Sequence, residues 1–246
     1  MREPPVLTRT GWAVVIFLVL LCVTLMMTWT GCDSPIAQTL PTTGTTRVKP
    51  PRSIATAPTD IPDVAVRYRK TLVRAWQEYF SLAEPSSIGF SQIHTESRWK
   101  PTAKSPVGAS GLAQAMPATA DWLAELLPAD VQAECGNARG CPEEPKWAIE
   151  MLAKYDYLLF KEQALFKPWE DHWAATLAAY NGGSGNIRKE RALCEQARLG
   201  NCDPWRWYGH VENACIRTPA NCEENRNYPV QVMQKFRPRY SSWLGE

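Results

Sequence analysis

Apolar residues recur on a helical period through much of the chain. From Asp63 onward Val66, Leu72, Val73, Trp76, Tyr79 and Phe80 interleave with Arg67, Arg69, Lys70, Arg74, Gln77 and Glu78, the three-to-four-residue spacing of a helix with one buried face. This pattern predicts a first helix ending near Glu84-Pro85. A second is capped by Ser86 or Ser87 and runs through Phe90 and Ile93 to about Glu96, because Lys100-Pro101 opposes continuation. Pro117 opens a third helix with Leu123, Leu126 and Leu127 on its apolar side, closed by Pro128. Further helices are predicted over 145–164, 168–180 and 229–236, and Asn181-Gly182-Gly183 suits the left-handed backbone of a helix end. No alternating β-pattern of useful length, internal repeat or metal motif is present. The expected fold class is mainly α, with any β-sheet small.

The first sixty residues follow a different rule. From Gly11 to Trp29 the chain is almost wholly apolar and uncharged, with Arg2 and Arg9 before it. At about 1.5 Å per helical residue that is long enough to cross a bilayer, and the leading arginines favour a cytoplasmic start. Ser34 to Pro62 is rich in Pro and Thr without apolar periodicity, the composition of a disordered, partly extended linker. As a coil of about 30 residues it would span roughly 30 Å. Three segments are therefore expected: an anchor or export segment over 1–32, a linker over 33–62 and one compact domain over 63–246. A net charge of +2 with both signs interspersed gives no basic footprint, which argues against nucleic-acid partners.

Cys22 lies within the apolar run and Cys32 just beyond it; the other six form close pairs in sequence, Cys135 with Cys141, Cys194 with Cys202, and Cys215 with Cys222. Such usage suits an oxidising compartment. Six cysteines allow fifteen connectivities, of which pairing between neighbours is the simplest. The rival is zinc, drawing on Cys202, Cys215 and His210, although no C-x-x-C spacing is present. Trp29-Thr30-Gly31-Cys32 resembles a lipoprotein processing site, with Trp29 replacing the usual aliphatic residue. Lipidation of Cys32 and an uncleaved transmembrane helix both remain open. Asp33, next to Cys32, resembles an inner-membrane retention signal.

The chemistry centres on Glu96, in Ile93-His94-Thr95-Glu96-Ser97-Arg98-Trp99, followed at short range by the Gly-rich Gly108 to Pro117. Near a helix C-terminus, where the backbone carries partial negative charge, a carboxylic acid is easier to keep neutral. Such an acid can protonate the departing oxygen of a glycosidic bond. Four elements occur in order: Glu96-Ser97, Ser105 to Gln114, Ala179-Tyr180-Asn181 and Glu224 to Tyr228. Together they resemble the signature of lytic transglycosylases with a goose-lysozyme-like domain.

That resemblance implies a lysozyme-like helical domain that cuts the MurNAc-β-1,4-GlcNAc bond of peptidoglycan and forms 1,6-anhydroMurNAc. Glu96 would serve first as acid and then as base. It also implies substrate-side roles for Ser105, Gln114, Tyr180, Asn181 and Tyr228, with Ser105 and Asn181 near acetamido groups and Tyr228 bonded near the acid. Ser105 also reads as a turn residue before Pro106, and Asn181 as a helix cap. Gly108 and Gly111 would let the backbone approach a glycan, and Gln114 could donate to and accept from it. Ala113 stands where methionine is common, and Pro229 where an aliphatic residue is usual. His94, two positions from Glu96 on a helix, faces elsewhere and reads as structural or exposed. Trp99, Trp205 and Trp207 are candidates for sugar stacking as well as for core or rim.

No cofactor and no metal are called for. Expected partners are peptidoglycan strands, the membrane through the N-terminal anchor, and unidentified components of an envelope machine. The expected location is the periplasmic side of a bacterial inner membrane. Two other readings stand: a goose-type lysozyme using water, and a non-catalytic peptidoglycan-binding or assembly protein.

Overall fold

The computed structural model describes residues 60–136, 139–196 and 200–246. The expected anchor, Cys22, Cys32 and most of the linker lie outside them. Among the described residues no helix is long and apolar enough to cross a membrane.

The order of elements is α1 (Asp63–Arg67), α2 (Arg69–Phe80), α3 (Ser87–Ser97), α4 (Pro117–Ala124), α5 (Ala129–Gln132), α6 (Pro145–Glu162), α7 (Trp169–Gly182), α8 (Ser184–Glu195), α9 (Pro219–Pro229), a π-helical segment (Val230–Phe236) and α10 (Arg237–Leu244). Two short 3-10 turns, Ala133–Cys135 and Val211–Asn213, join them. The only extended pairings among the described residues are isolated bridges, Lys104 with Ser110 and Ser110 with Ala115. The domain is thus mainly helical, and these bridges form no sheet. The predicted first helix is divided at Tyr68, and the final one is the middle of a longer run: Pro229 lacks the N–H that would continue an α-helical ladder, and the backbone passes into π geometry immediately after it.

Aromatic stacking organises the main core. Trp76 stacks on Phe80 and Trp173 at centroid distances of 4.6 and 5.7 Å. Such rings need partners for their N–H groups when buried. Glu84 supplies three: its carbonyl accepts from Trp76 Nε1 at 3.1 Å, and its Oε2 accepts from Trp169 and Trp173 Nε1, each at 2.7 Å.

Helix α3 is central. Nine of its eleven residues are buried, which explains its weak amphipathic signal: a helix covered on every side has no polar face to alternate with. Gly89 permits this, since a Cβ there would lie 2.8 Å from the Trp76 ring. The cap is not the serine side chain expected from sequence, for neither Ser86 nor Ser87 caps with its hydroxyl. The Glu246 carboxylate does so, accepting from Ser86 N at 2.9 Å, Ser86 Oγ at 2.6 Å and Ser87 N at 2.9 Å. An anion there meets free N–H groups and the positive end of the helix dipole.

All six cysteines of the domain pair with sequence neighbours: Cys135 with Cys141, Cys194 with Cys202 and Cys215 with Cys222. Cys202 and Cys215, considered above with zinc, belong to different bridges. His210 Nδ1 instead accepts from Asp203 N at 3.0 Å.

Candidate active site

Glu96 is the penultimate residue of α3, and Arg98 ends that helix in the left-handed conformation. Its side chain reaches a cleft of about 480 Å³ also lined by Thr95, Ser105, Val107, Gln114, Met116, Tyr180, Asn181, Glu224 and Tyr228. The four sequence elements therefore meet on one concave surface, contributed by α3, the 103–116 loop, the end of α7 and α9.

The Glu96 carboxyl is pushed up to about 7. Burial is the main cause, since the charged form loses its hydration. The hydrogen bond donated by Tyr228 Oη to Glu96 Oε1 pulls the other way, and the negative charge of Glu224 adds to the rise. Tyr228 is buried at 6% exposure and stacks parallel to Tyr180 with ring centroids 6.3 Å apart. Burial also raises both phenols well above their usual range, so they remain donors. Tyr180 Oη donates to the Ala113 carbonyl at 2.7 Å, tying α7 to the Gly-rich loop.

Behind Glu96 lies a second carboxyl that sequence reading missed. Asp156, fully buried on α6, accepts from Gln92 Nε2 at 3.2 Å. Burial pushes its pKa well up, the Gln92 bond lowers it, and the Glu96 charge raises it again. Nothing in the polar-apolar pattern of α6 distinguishes it from a surface aspartate.

The Gly-rich loop is a rigid wall. Ser105 Oγ accepts from Ala109 N at 2.9 Å, while Ser105 N donates to Ala109 O at 2.8 Å. Ser105 is thus both turn residue and cleft lining. Gly111 has φ +80° and a Cβ there would lie 1.5 Å from the Pro142 carbonyl oxygen, so its close approach is to protein backbone rather than to a glycan. Pro142 directly follows the Cys135–Cys141 bridge, and Lys104 pairs with Glu143 at 2.9 Å, so that bridge braces the loop from behind.

Gln114 also differs from expectation. Its Nε2 donates to Ala103 O at 3.1 Å and Gly111 O at 2.9 Å, which leaves Oε1 as the atom it offers to the cleft. Ala113 is buried, and Met116 supplies an exposed thioether at the cleft instead. Val107, 75% exposed, forms an apolar lip.

Asn181 stands on the opposite wall, its Nδ2 donating to Glu224 Oε1 at 3.4 Å. Glu224 is therefore a second carboxylate in the cleft; sequence reading treated it only as part of the late motif. His94 lies away from this surface, packed on Phe236, with ring nitrogens facing Tyr240 Oη and Arg239 at 2.9 Å each. Trp99 and Trp207 are buried at 1% and 0% exposure, which removes both as sugar platforms. Trp205 packs against Arg191 outside the cleft.

The site is thus a groove in a helical domain that brings the raised Glu96 carboxyl together with Glu224, two tyrosines and the amides of Gln114 and Asn181. Residues 84–198 match the family model described as the transglycosylase SLT domain. The chain is 33% identical over 162 residues to the soluble lytic murein transglycosylase of Salmonella typhimurium, covering 65% of this chain and 21% of that protein. It is 31% identical over 104 residues to the protein of the same name from Escherichia coli K12, covering 42% and 15% respectively. The chain thus spans about a fifth or less of the length of these curated relatives. Among solved structures it is similar to the 70 kDa soluble lytic transglycosylase of Escherichia coli, with a TM-score of 0.47 and 23% identity over 74% of this chain and 26% of that one. It is also similar to an inactive mutant of the lytic transglycosylase Slt from Pseudomonas aeruginosa, with a TM-score of 0.48 and 22% identity over the same shares.

Proposed function

We propose that the protein is a peptidoglycan lytic transglycosylase that cleaves MurNAc-β-1,4-GlcNAc bonds and closes a 1,6-anhydro ring on MurNAc. The observation that carries this reading is the Glu96 carboxyl, held up to about 7 at the groove between the Gly-rich loop and α9. At neutral pH such a group is present in both forms, as needed by a residue that first protonates the leaving oxygen and then removes the C6 hydroxyl proton. Tyr228 orients it through one carboxylate oxygen. Asn181 and Ser105 serve the acetamido groups, Gln114 accepts from a sugar hydroxyl through Oε1, and Tyr180 holds the loop in place. The relatives' names support the substrate class.

Glu224 favours a second reading, a goose-type lysozyme in which this carboxylate activates water. Against it, Glu224 already accepts from Asn181 and raises the Glu96 pKa by its charge. The apolar N-terminal run and Cys32 support a membrane tether, lipid or transmembrane, on the periplasmic side of a bacterial inner membrane. The 33–62 linker would carry the domain toward the wall, where envelope-machine partners would also be met.

The test is digestion of purified peptidoglycan by the wild type and by Glu96→Gln. The reading requires soluble muropeptides from the first and a loss of orders of magnitude in the second. A folded Glu96→Gln protein with near-wild-type turnover would reject Glu96 as the acid.

A further inference from the structure

Asn181 faces the cleft with an amide whose two ends differ chemically, and which end it presents is decided two layers below. Asn225, on α9, is fully buried. Its Oδ1 accepts from Arg217 Nη2 at 2.6 Å and Arg226 Nη1 at 2.7 Å. Its Nδ2 donates to the Ala178 carbonyl at 2.8 Å and to Asn181 Oδ1 at 3.0 Å. The opposite orientation would set amide hydrogens against two guanidinium donors and oxygen against a carbonyl oxygen. Arginine has no acceptor and a carbonyl no donor, so the partners fix Asn225 in one sense. Asn181 Oδ1 is thereby engaged, and its Nδ2 points to Glu224 and the cleft.

The arginines are themselves fixed. Both pair with Glu190, buried at 0% exposure, at 3.1 Å from Arg217 and 2.9 Å from Arg226. Arg217 lies in the loop closed by the Cys215–Cys222 bridge, and Arg226 covers the Trp207 ring at 4.9 Å. Gly182 makes room: a Cβ there would stand 2.1 Å from Arg217 Nη1 and 2.6 Å from Asn225 Nδ2. A buried ion cluster of this kind is costly to desolvate and adds little stability relative to apolar packing, so its value lies in the orientation it imposes.

We propose that Asn225, held by the Glu190–Arg217–Arg226 cluster, is a positioning residue that commits Asn181 to present a hydrogen-bond donor to the cleft, selecting an acceptor such as an acetamido carbonyl on the glycan. The choice of glycan rests on the function proposed above; the orientation of Asn181 does not.

Asn225→Asp reverses the logic with almost no change in shape. The cluster carries one negative and two positive charges, which offset the added carboxylate, while the bond to the Ala178 carbonyl is lost and costs the variant some stability. The introduced carboxylate oxygen facing Asn181 would then demand a donor, and the Asn181 amide would turn its oxygen to the cleft. The experiment uses the full chain in detergent micelles with ¹⁵N-labelled asparagine, the Asn181 side-chain resonances being assigned by their loss in Asn181→Ser. In the wild-type background Glu224→Gln should move these resonances; in Asn225→Asp the response should fall to that of a remote asparagine. Asn225→Ala, which adds no charge, should reduce the response at least by half and decides the matter if the aspartate variant fails to fold. A response of full size in both variants overturns the proposal.

On peptidoglycan, kcat/KM of folded Asn225→Asp should fall about tenfold or more, the loss of a hydrogen bond that strengthens on the substrate. Unchanged kcat/KM alongside a lost resonance response would overturn the substrate half. A wild type that releases no muropeptides would defeat the functional reading and leave the resonance result to decide the orientation alone.

Discussion

Replacing Tyr228 by Phe isolates the one hydrogen bond that favours ionised Glu96. Burial and the Glu224 charge raise the Glu96 pKa, the Tyr228 hydroxyl lowers it, and the balance is about 7. A hydrogen bond to a charged group contributes about 1.5–3 kcal/mol, and each pKa unit corresponds to about 1.36 kcal/mol. Its loss should therefore raise the Glu96 pKa by about one to two, and the ring packing against Tyr180 is kept. Because the first step needs the protonated acid, kcat/KM falls as pH rises through this pKa. The wild-type alkaline limb should lie near 7, and in Tyr228→Phe it should move upward by that amount while the plateau drops through lost positioning. The assay is the pH dependence of muropeptide release from peptidoglycan, with ¹³C titration of the Glu96 carboxyl as an activity-independent check. A limb and a titration that both stay at the wild-type value would refute this account of how the acid is tuned.

Glu96→Gln should stabilise the fold at alkaline pH. With a folded pKa of about 7 against the ordinary 4.5 of a glutamate, the folded state binds the extra proton between these values, so wild-type stability declines as pH rises through that window. Removing the charge should recover up to about 3 kcal/mol above the window and nothing below about pH 4.5, and equal melting temperatures at about pH 4 and 8 would contradict the burial of this group. Glu246→Gln weakens the cap of α3 and should cost about 1 kcal/mol in denaturant unfolding; an unchanged midpoint would show that the cap contributes nothing. Gly111→Ala forces a side chain into φ +80° and onto the Pro142 carbonyl, which should cost about 2 kcal/mol or more and slow turnover through the displaced loop; wild-type stability and turnover would rule out that close contact.

The residues that line the cleft were legible because each sits in a short motif, although the fold brings them together from as far as 132 positions apart. Glu96 at a helix end, the Gly-rich loop and the two later tyrosines each belong to a run of a few residues that can be read by itself, and the helices carrying apolar stripes were visible for the same reason. Helices α8 and α9 were not. Their residues, such as Arg188, Lys189 and Arg191 in α8 and Glu223, Glu224 and Arg226 in α9, give no apolar face of useful width. Both helices bury polar groups instead, Glu190 and Asn225, whose partners come from distant segments. Asp156 was hidden because it follows Lys154 in a helix with polar and aromatic positions interleaved, so nothing marks it as buried. The cap by Glu246 joins residues 160 positions apart, and Trp99 and Trp207 showed nothing in sequence to separate core from rim.

The most direct test of the central claim is digestion of peptidoglycan in heavy-oxygen water, with mass spectrometry of the released muropeptides. Intramolecular attack by the C6 hydroxyl predicts 1,6-anhydro ends, lighter than reducing ends by one water and free of label. Reducing ends carrying one heavy oxygen, lost in Glu96→Gln, would contradict it and assign the same acid to hydrolysis.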